Sequence, residues 1–387
     1  MWPRCRSQVA LSIGISIVAL GCGSRGGGQH PGTVSGPTLT LIDSVKVQES
    51  DSIYIGRPYT PAIDPYDGTV YVPDFFSNRV YRFGRDGQLL RTYGRPGQGP
   101  GEFRSAEMTF VLDDSTLVVD DPGQERLEFF DRHTGDFRRE RDLPLAPGTS
   151  APVVTPDGIW MHAVSDGMRV GMAVWHPTRD TVTALGPLPG PYRASLDHPP
   201  SIFAQFFDVG GVVMRPDDTV VNGWSGLNWL YVHGLDGAVL DSVRVPAVRR
   251  RDVPPNLEKR MDSGDMGDRE RYESGSGLLR MAALPGGGLV IVYHDLHILR
   301  LHPLPPTFYS TVWVSVVSPD LEEACVDARL PVSRDAESVE AFRGDTLFQF
   351  DRRIVGKKTA RPRLQTWLRT FLVGTRGCDW LPTRPGH

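Results

Sequence analysis

Hydrophobic positions along this chain fall in short runs, rich in β-branched and aromatic residues and closed by polar turns. Thr69-Val70-Tyr71-Val72 and Leu117-Val118-Val119 are two such runs. They fit strands packed on both sides better than helices of period 3.6. Asp86-Gly87 and Asp236-Gly237 mark hairpins, because glycine accepts the positive φ that such turns need.

The runs recur. Residues 67–90, DGTVYVPDFFSNRVYRFGRDGQLL, return without a gap 150 positions later at 217–240, DDTVVNGWSGLNWLYVHGLDGAVL. A third copy, DSTLVVDDPGQERLEFFD at 114–131, lies 47 positions after the first. Each reads as strand, polar turn, strand, with a DG turn and third strand in the two longer copies. A strand-built period of about 40–50 residues is the mark of propeller blades. Six blades can be laid out, at about 53–93, 103–143, 153–185, 207–245, 278–332 and 338–373. Thr38–Val47 precedes them without blade partners, so it is predicted to complete the last blade and close the ring. The expected fold is an all-β, six-bladed β-propeller over residues 38–387, with seven blades the alternative if 278–350 hides another unit. One charged segment, Arg249–Ser274, breaks the pattern and has helical stretches after Pro255. It reads either as a lid over one face of the ring or as a solvated excursion.

The beginning of the chain has a different character. Arg4 and Arg6 precede an apolar run from Val9 to Leu20, shorter than the roughly 20 residues of a membrane span and suited to the core of a signal peptide. Val18-Ala19-Leu20-Gly21-Cys22 follows and resembles a bacterial lipobox, which implies cleavage after residue 21 and lipid on Cys22. A plain secretory signal cut nearby is the alternative. Residues 22–37 are rich in Gly and Ser and predict a flexible tether. Gly23 rather than Asp after the cysteine implies, by the same resemblance, the outer membrane of the cell envelope. Of the remaining cysteines, Cys5 leaves with the signal, while Cys325 and Cys378 can pair in an oxidising compartment or stay as buried thiols.

Formal net charge is −4, and losing Arg4 and Arg6 with the leader makes it −6. That argues against nucleic acid as a partner. Four lysines stand against 38 arginines, a bias read as that of a GC-rich genome.

Gly97-Gln98-Gly99-Pro100-Gly101-Glu102-Phe103 and the Asn78-Arg79-Val80 core resemble the NHL repeat. The chain as a whole is similar to bacterial six-bladed propeller lipoproteins related to NHL proteins. The match is clear over about 53–143 and 207–245. Blade two carries Glu125 for Asn78, and blade four Trp229 for Arg79.

Signs of catalysis are absent from the sequence. No GxSxG, HExxH or Walker motif occurs. The Gly-rich stretch 94–101 leads through Glu102-Phe103-Arg104 into another strand, so it reads as an inter-blade turn and not a phosphate cradle. His294-Asp295-Leu296-His297 is read as a turn or strand edge. The basic run Arg352, Arg353, Lys357, Lys358, Arg361 and Arg363 is read as a solvated hairpin. Asp74, Asp121, Trp224 and His294 share one slot after the second strand of their blades. With Phe75, Arg104 and Trp229 they are candidate contacts for a ligand at one face, the resemblance placing these loops around the central channel. Side-chain capping of turns is the structural alternative for the two aspartates.

Three functions fit. One is a lipid-anchored scaffold that binds a protein, peptide or glycan through one face of the ring and needs no cofactor. A second, implied by six-bladed relatives, is a lactonase- or lyase-like enzyme. It would hold a divalent cation such as calcium in the channel, with Asp74, Asp121, Asp166 and His294 as candidate ligands. The third is an assembly subunit that docks through the 249–274 insert.

Overall fold

A strand from the chain's beginning closes the ring: β1 (Thr38–Lys46) lies antiparallel to a strand from its end. The computed structural model describes residues 34–50, 53–142, 151–162, 170–187, 210–254, 268–300, 307–332, 338–355 and 363–384, with a few single residues between 255 and 267. The leader, Cys22, most of the tether, Asp166, Lys357, Lys358 and Arg361 lie outside the described residues.

Blade one holds β2 (Ala62–Ile63), β3 (Val70–Asp74), β4 (Arg79–Phe83) and β5 (Leu89–Tyr93). A link of two short parallel strands, β6 (Arg95–Pro96) and β7 (Glu102–Phe103), leads on. Blade two holds β8 (Met108–Asp113), β9 (Thr116–Asp121), β10 (Arg126–Asp131) and β11 (Phe137–Asp142). Blade three holds β12 (Val153–Thr155), β13 (Gly158–His162), β14 (Val170–His176) and β15 (Thr181–Pro187). Blade four holds β16 (Gly210–Met214), β17 (Val220–Trp224), β18 (Trp229–His233) and β19 (Val239–Arg244). A short helix, α1 (Asp268–Glu273), precedes blade five, which is β20 (Gly277–Ala283), β21 (Leu289–Arg300), β22 (Thr307–Val317) and β23 (Glu323–Leu330). Blade six is β24 (Ser338–Arg343), β25 (Thr346–Val355) and β26 (Arg363–Gly374), completed on its outer edge by β1. The last strand, β27 (Trp380–Pro382), adds a fifth strand to blade five beside β23.

There are therefore six blades and not seven. The stretch that suggested a further unit is one long hairpin, β21 and β22, of 12 and 11 residues. That hairpin also corrects the reading of His294–His297 as a turn or edge: the four residues lie inside β21, each paired across to β22.

Burial on both faces explains the hydrophobic runs. Along β3, Val70 and Val72 pack toward blade six while Tyr71 packs toward blade two. Val118 of β9 faces blade three, and its neighbours Leu117 and Val119 face blade one. Each of the six seams has its own apolar cluster, the last joining Phe348 and Phe350 of blade six to Val70 and Phe83 of blade one. The core is thus a ring of interfaces around an axis.

Repeated residues have repeated jobs. Asp67 and Asp217, 150 positions apart, each accept hydrogen bonds at Oδ1 from the amide and hydroxyl of the Thr two residues on. In blade two the same turn is made one residue off the repeat register, Asp113 accepting from the amide and hydroxyl of Ser115. These Asx turns tie the first strand of a blade to the second.

Candidate functional site

Antiparallel blades sort their connections by face. Turns from first to second strand and from third to fourth lie at one end of the ring. They are short: Asp64–Thr69, Gly84–Gln88 and Gly234–Ala238 each close with a backbone hydrogen bond. Turns from second to third strand, and the crossings between blades, lie at the other end. There the second-to-third turns of blades one, two and four are short, at 75–78, 122–125 and 225–228, but the crossings are long, including 94–107 and 245–276, and the β21–β22 hairpin reaches the same end.

The predicted slot residues sit at that end, but the aspartates are occupied by the fold. Asp74 is fully buried and accepts from the amides of Arg57 and Ser77. Asp121, also fully buried, accepts from the amides of Arg104 (3.0 Å) and Ser105 (2.9 Å) and from Gln124 Nε2. Arg57 and Arg104 are themselves 47 positions apart, so both carboxylates pin the crossing that enters their own blade. The turn-capping alternative is the one the geometry carries. Trp224 is buried at the seam of blades three and four, its ring 4.4 Å from that of His162. His294 lies across Gly277, whose added Cβ would come within 2.2 Å of His294 Nε2. Burial lowers the pKa of the His294 ring to about 4 and that of His162 to about 3, so both are neutral near pH 7. Trp229 opens β18, half-buried.

The slot has a further member that the sequence reading missed. Asp351, fully buried on β25, pairs with Arg353 (2.5 Å) and Arg369 (3.3 Å). The signal was Thr346, which occupies the position of Thr69, but Gly344 stands two residues before it where the three copies have Asp67, Asp114 and Asp217. Arg353 is therefore ion-paired and Arg352 is buried, so this part of the basic run is not a solvated hairpin. Among the described residues, no group of three or more His, Cys, Asp or Glu could hold a metal ion.

Phe75 and Arg104 stand in a different setting. Phe75 meets Tyr59 at 5.7 Å, and the Arg57 guanidinium lies 5.3 Å and 5.4 Å from the centres of those two rings. Tyr54 meets Phe76 edge-on at 6.4 Å, and Phe76 is 74% exposed. Gly56 makes room for this: a Cβ there would fall 2.4 Å from Phe76 Cβ. The amide of Thr60 donates to the carbonyl of Glu107 (2.9 Å), so the crossing through Arg57 runs beside the one through Arg104. Arg104 is exposed.

The channel is lined by the innermost strands of all six blades and holds a cavity of about 370 Å³. Pro61, Phe110, Val153, Val212, Met281 and Phe342 make most of its wall apolar. Arg280 crosses it, donating to the carbonyls of Glu340 (3.1 Å) and Leu279 (2.6 Å) and to Thr60 Oγ1 (3.1 Å). Burial lowers the Arg280 pKa to about 10 and raises that of Glu340.

The charged insert is not a free excursion where it is described. The Arg250 side chain is wholly buried on Asp327 (3.0 Å), which also accepts from the amides of Val248 and Arg249. α1 lies along β21: Arg269 donates to the Ile298 carbonyl and Glu273 accepts from the Ile298 amide. A disulfide joins Cys325 of β23 to Cys378 just before β27.

Comparison with known proteins agrees on the architecture. Residues 41–169 match a family model described as a 6-bladed beta-propeller. A crystal structure of a member of the DUF4221 family from Bacteroides vulgatus superposes with a TM-score of 0.60 at 8% identity, covering 90% of this chain and 99% of that one. A Bacteroides fragilis protein described as exported gives 0.53 at 12%, covering 86% and 94%. Over 97 residues the chain is 30% identical to peptidyl-glycine alpha-amidating monooxygenase A of Xenopus laevis, 24% of this chain and 10% of that protein. The chain thus spans about a tenth of the length of the curated relatives it matches. The protein is a six-bladed β-propeller.

Proposed function

We propose that this protein is a lipid-anchored, extracytoplasmic scaffold that binds a partner through the long-loop face of its ring. The observation that carries the proposal is the contrast between the two faces. One is built from short Asx-capped turns whose carboxylates bond to their own backbone. The other gathers the long crossings, the β21–β22 hairpin and the exposed aromatic and arginine side chains around Arg57. Long loops on a rigid frame are where binding residues concentrate. Lipid on Cys22 and the tether after it would hold the ring at the outer membrane.

Two measurements test this in cells. Labelling with an alkynyl palmitate should mark the wild-type protein and leave Cys22→Ala unmarked and released from the membrane fraction. A photocrosslinking residue at position 76 or 299 should form a discrete adduct, and one at 66 or 240, in the short-turn face and on an outer strand, should not. Adducts only from positions 66 and 240 would reverse the assignment of the binding face.

A further inference from the structure

Carboxylates and guanidiniums have opposite fates on the long-loop face of blades one and two. The acids are consumed by the fold. Asp74 and Asp121 accept loop amides, and Glu102 accepts from the amides of Gln98 (3.0 Å) and Gly99 (2.9 Å) and pairs with Arg95 (2.9 Å). Glu49 accepts from the amide (2.9 Å) and hydroxyl (3.1 Å) of Thr366. Two arginines are left over. Arg57 and Arg104 use their backbone amides on those aspartates. Neither guanidinium is seen in a hydrogen bond or salt bridge among the described residues, although the charge of Arg57 acts on the half-buried Glu107, which accepts from the Ser105 hydroxyl. Arg57 is also held in place: its guanidinium rests against the rings of Tyr59 and Phe75, which fixes the plane while leaving its N–H edge open.

Resting on the binding-face reading above, we propose that this patch receives an acidic peptide segment of a partner protein, one in which a carboxylate lies next to an apolar side chain. A planar guanidinium with an open edge takes a carboxylate through paired N–H···O bonds. The exposed Phe76 ring, with Tyr54 set against its edge, supplies the apolar half of the contact. Arginine and aromatic residues are the side chains that dominate binding energy at protein interfaces. Arg104, on the neighbouring crossing, extends the positive surface along the peptide's path. Gly56 belongs to the same device, since any larger residue would displace Phe76.

The test is an array of short synthetic peptides in which each Asp- or Glu-containing sequence has an Asn or Gln twin. It is probed with the full protein and followed by fluorescence anisotropy on the hits. Acidic members carrying Leu or Phe beside the carboxylate should bind, and their amide twins should bind at least tenfold more weakly. Arg57→Gln and Phe76→Ala should each weaken the hits about tenfold or more, while Leu240→Ala on an outer strand should leave them unchanged. Gly56→Ala should act like Phe76→Ala, with the melting midpoint confirming that the ring stays folded. An array without hits, hits indifferent to Arg57, or binding to oligogalacturonate but to no peptide would each overturn the proposal. The photocrosslinks from position 299 stand apart from these outcomes, so the binding face could survive the loss of this ligand.

Discussion

Glu128 sits wholly buried on β10, with Oε1 on Arg126 (2.8 Å) and Oε2 without a hydrogen-bond partner among the described residues. Burial outweighs the arginine and raises its pKa from 4.5 to about 7. A raised acid means that the folded state holds its proton more tightly than the unfolded one. Stability therefore falls as pH rises from about 4.5 to 7, and the penalty is complete above that. Asp131 has the opposite sign: the amide of Thr134 and the side chain of Arg138 lower its pKa, so its contribution is lost in strong acid. Between pH 7.5 and 5.5 Glu128 gains stability while the buried His162 and His294, whose folded pKa values are lowered, lose it. The test is therefore the difference between variants: the melting midpoint of Glu128→Gln relative to wild type should be higher at pH 7.5 than at pH 5.5. A difference that does not change with pH would show that the buried carboxylate is already neutralised by other means. The same scale explains one imperfect repeat. Asn78 and Glu125 share a slot in the turns after β3 and β9, and both have positive φ, 48° and 56°. The backbone geometry is kept where the side chain is not, because asparagine suits that region better than glutamate.

At the scale of elements, the outermost strands do the closing. β1 covers the free edge of β26 from Thr38↔Gly374 to Lys46↔Trp367, and β27 covers that of β23. β27 is only three residues long, too short to hold itself, and the Cys325–Cys378 bond beside it supplies the missing constraint. That bond closes a segment with a sequence separation of 53, for which the loss of unfolded-state entropy is worth about 2–4 kcal/mol. Cys378→Ser should lower stability by that amount in denaturant titrations, with hydrogen exchange rising first at Cys325 and Trp380. A change below about 0.5 kcal/mol would mean that β27 docks without it. Which elements could be read in advance follows from the same physics. Blades one, two and four were legible because their Asx turns keep Asp and Thr or Ser at fixed spacing. Blade five was only partly legible, since Pro285-Gly286-Gly287-Gly288 turns without an Asp and β21 runs twice the usual strand length. The pairing of Arg57 with Tyr59 and Phe75 had no sequence signal beyond Phe75 itself, because the contact spans two segments joined by Asp74 and by backbone hydrogen bonds from Phe75 to Arg57 and from Tyr59 to Pro73, which leave no mark on residue type.

Across the whole molecule, apolar seams hold the blades in a circle and the polar atoms near the axis are largely committed to the protein itself. A channel metal needs several oxygen or nitrogen ligands converging from different blades. Here the wall offered by the inner strands is mostly apolar, and its charged pair, Arg280 and Glu340, lies on adjacent blades with the guanidinium bonded to three protein oxygens. The seam carboxylates that the repeat pattern suggested as ligands are turned to backbone amides instead. A guanidinium inside the channel also opposes the approach of a cation. Calcium, magnesium or zinc at millimolar concentration should therefore leave the melting midpoint unchanged, and chelator should do the same. A ligand bound only by the folded ring adds about 2.7 kcal/mol at a hundredfold excess over its dissociation constant, a shift of several degrees that is easily seen. If calcium produced that shift and chelator removed it, the ring would hold a metal, and the enzyme reading would displace the scaffold.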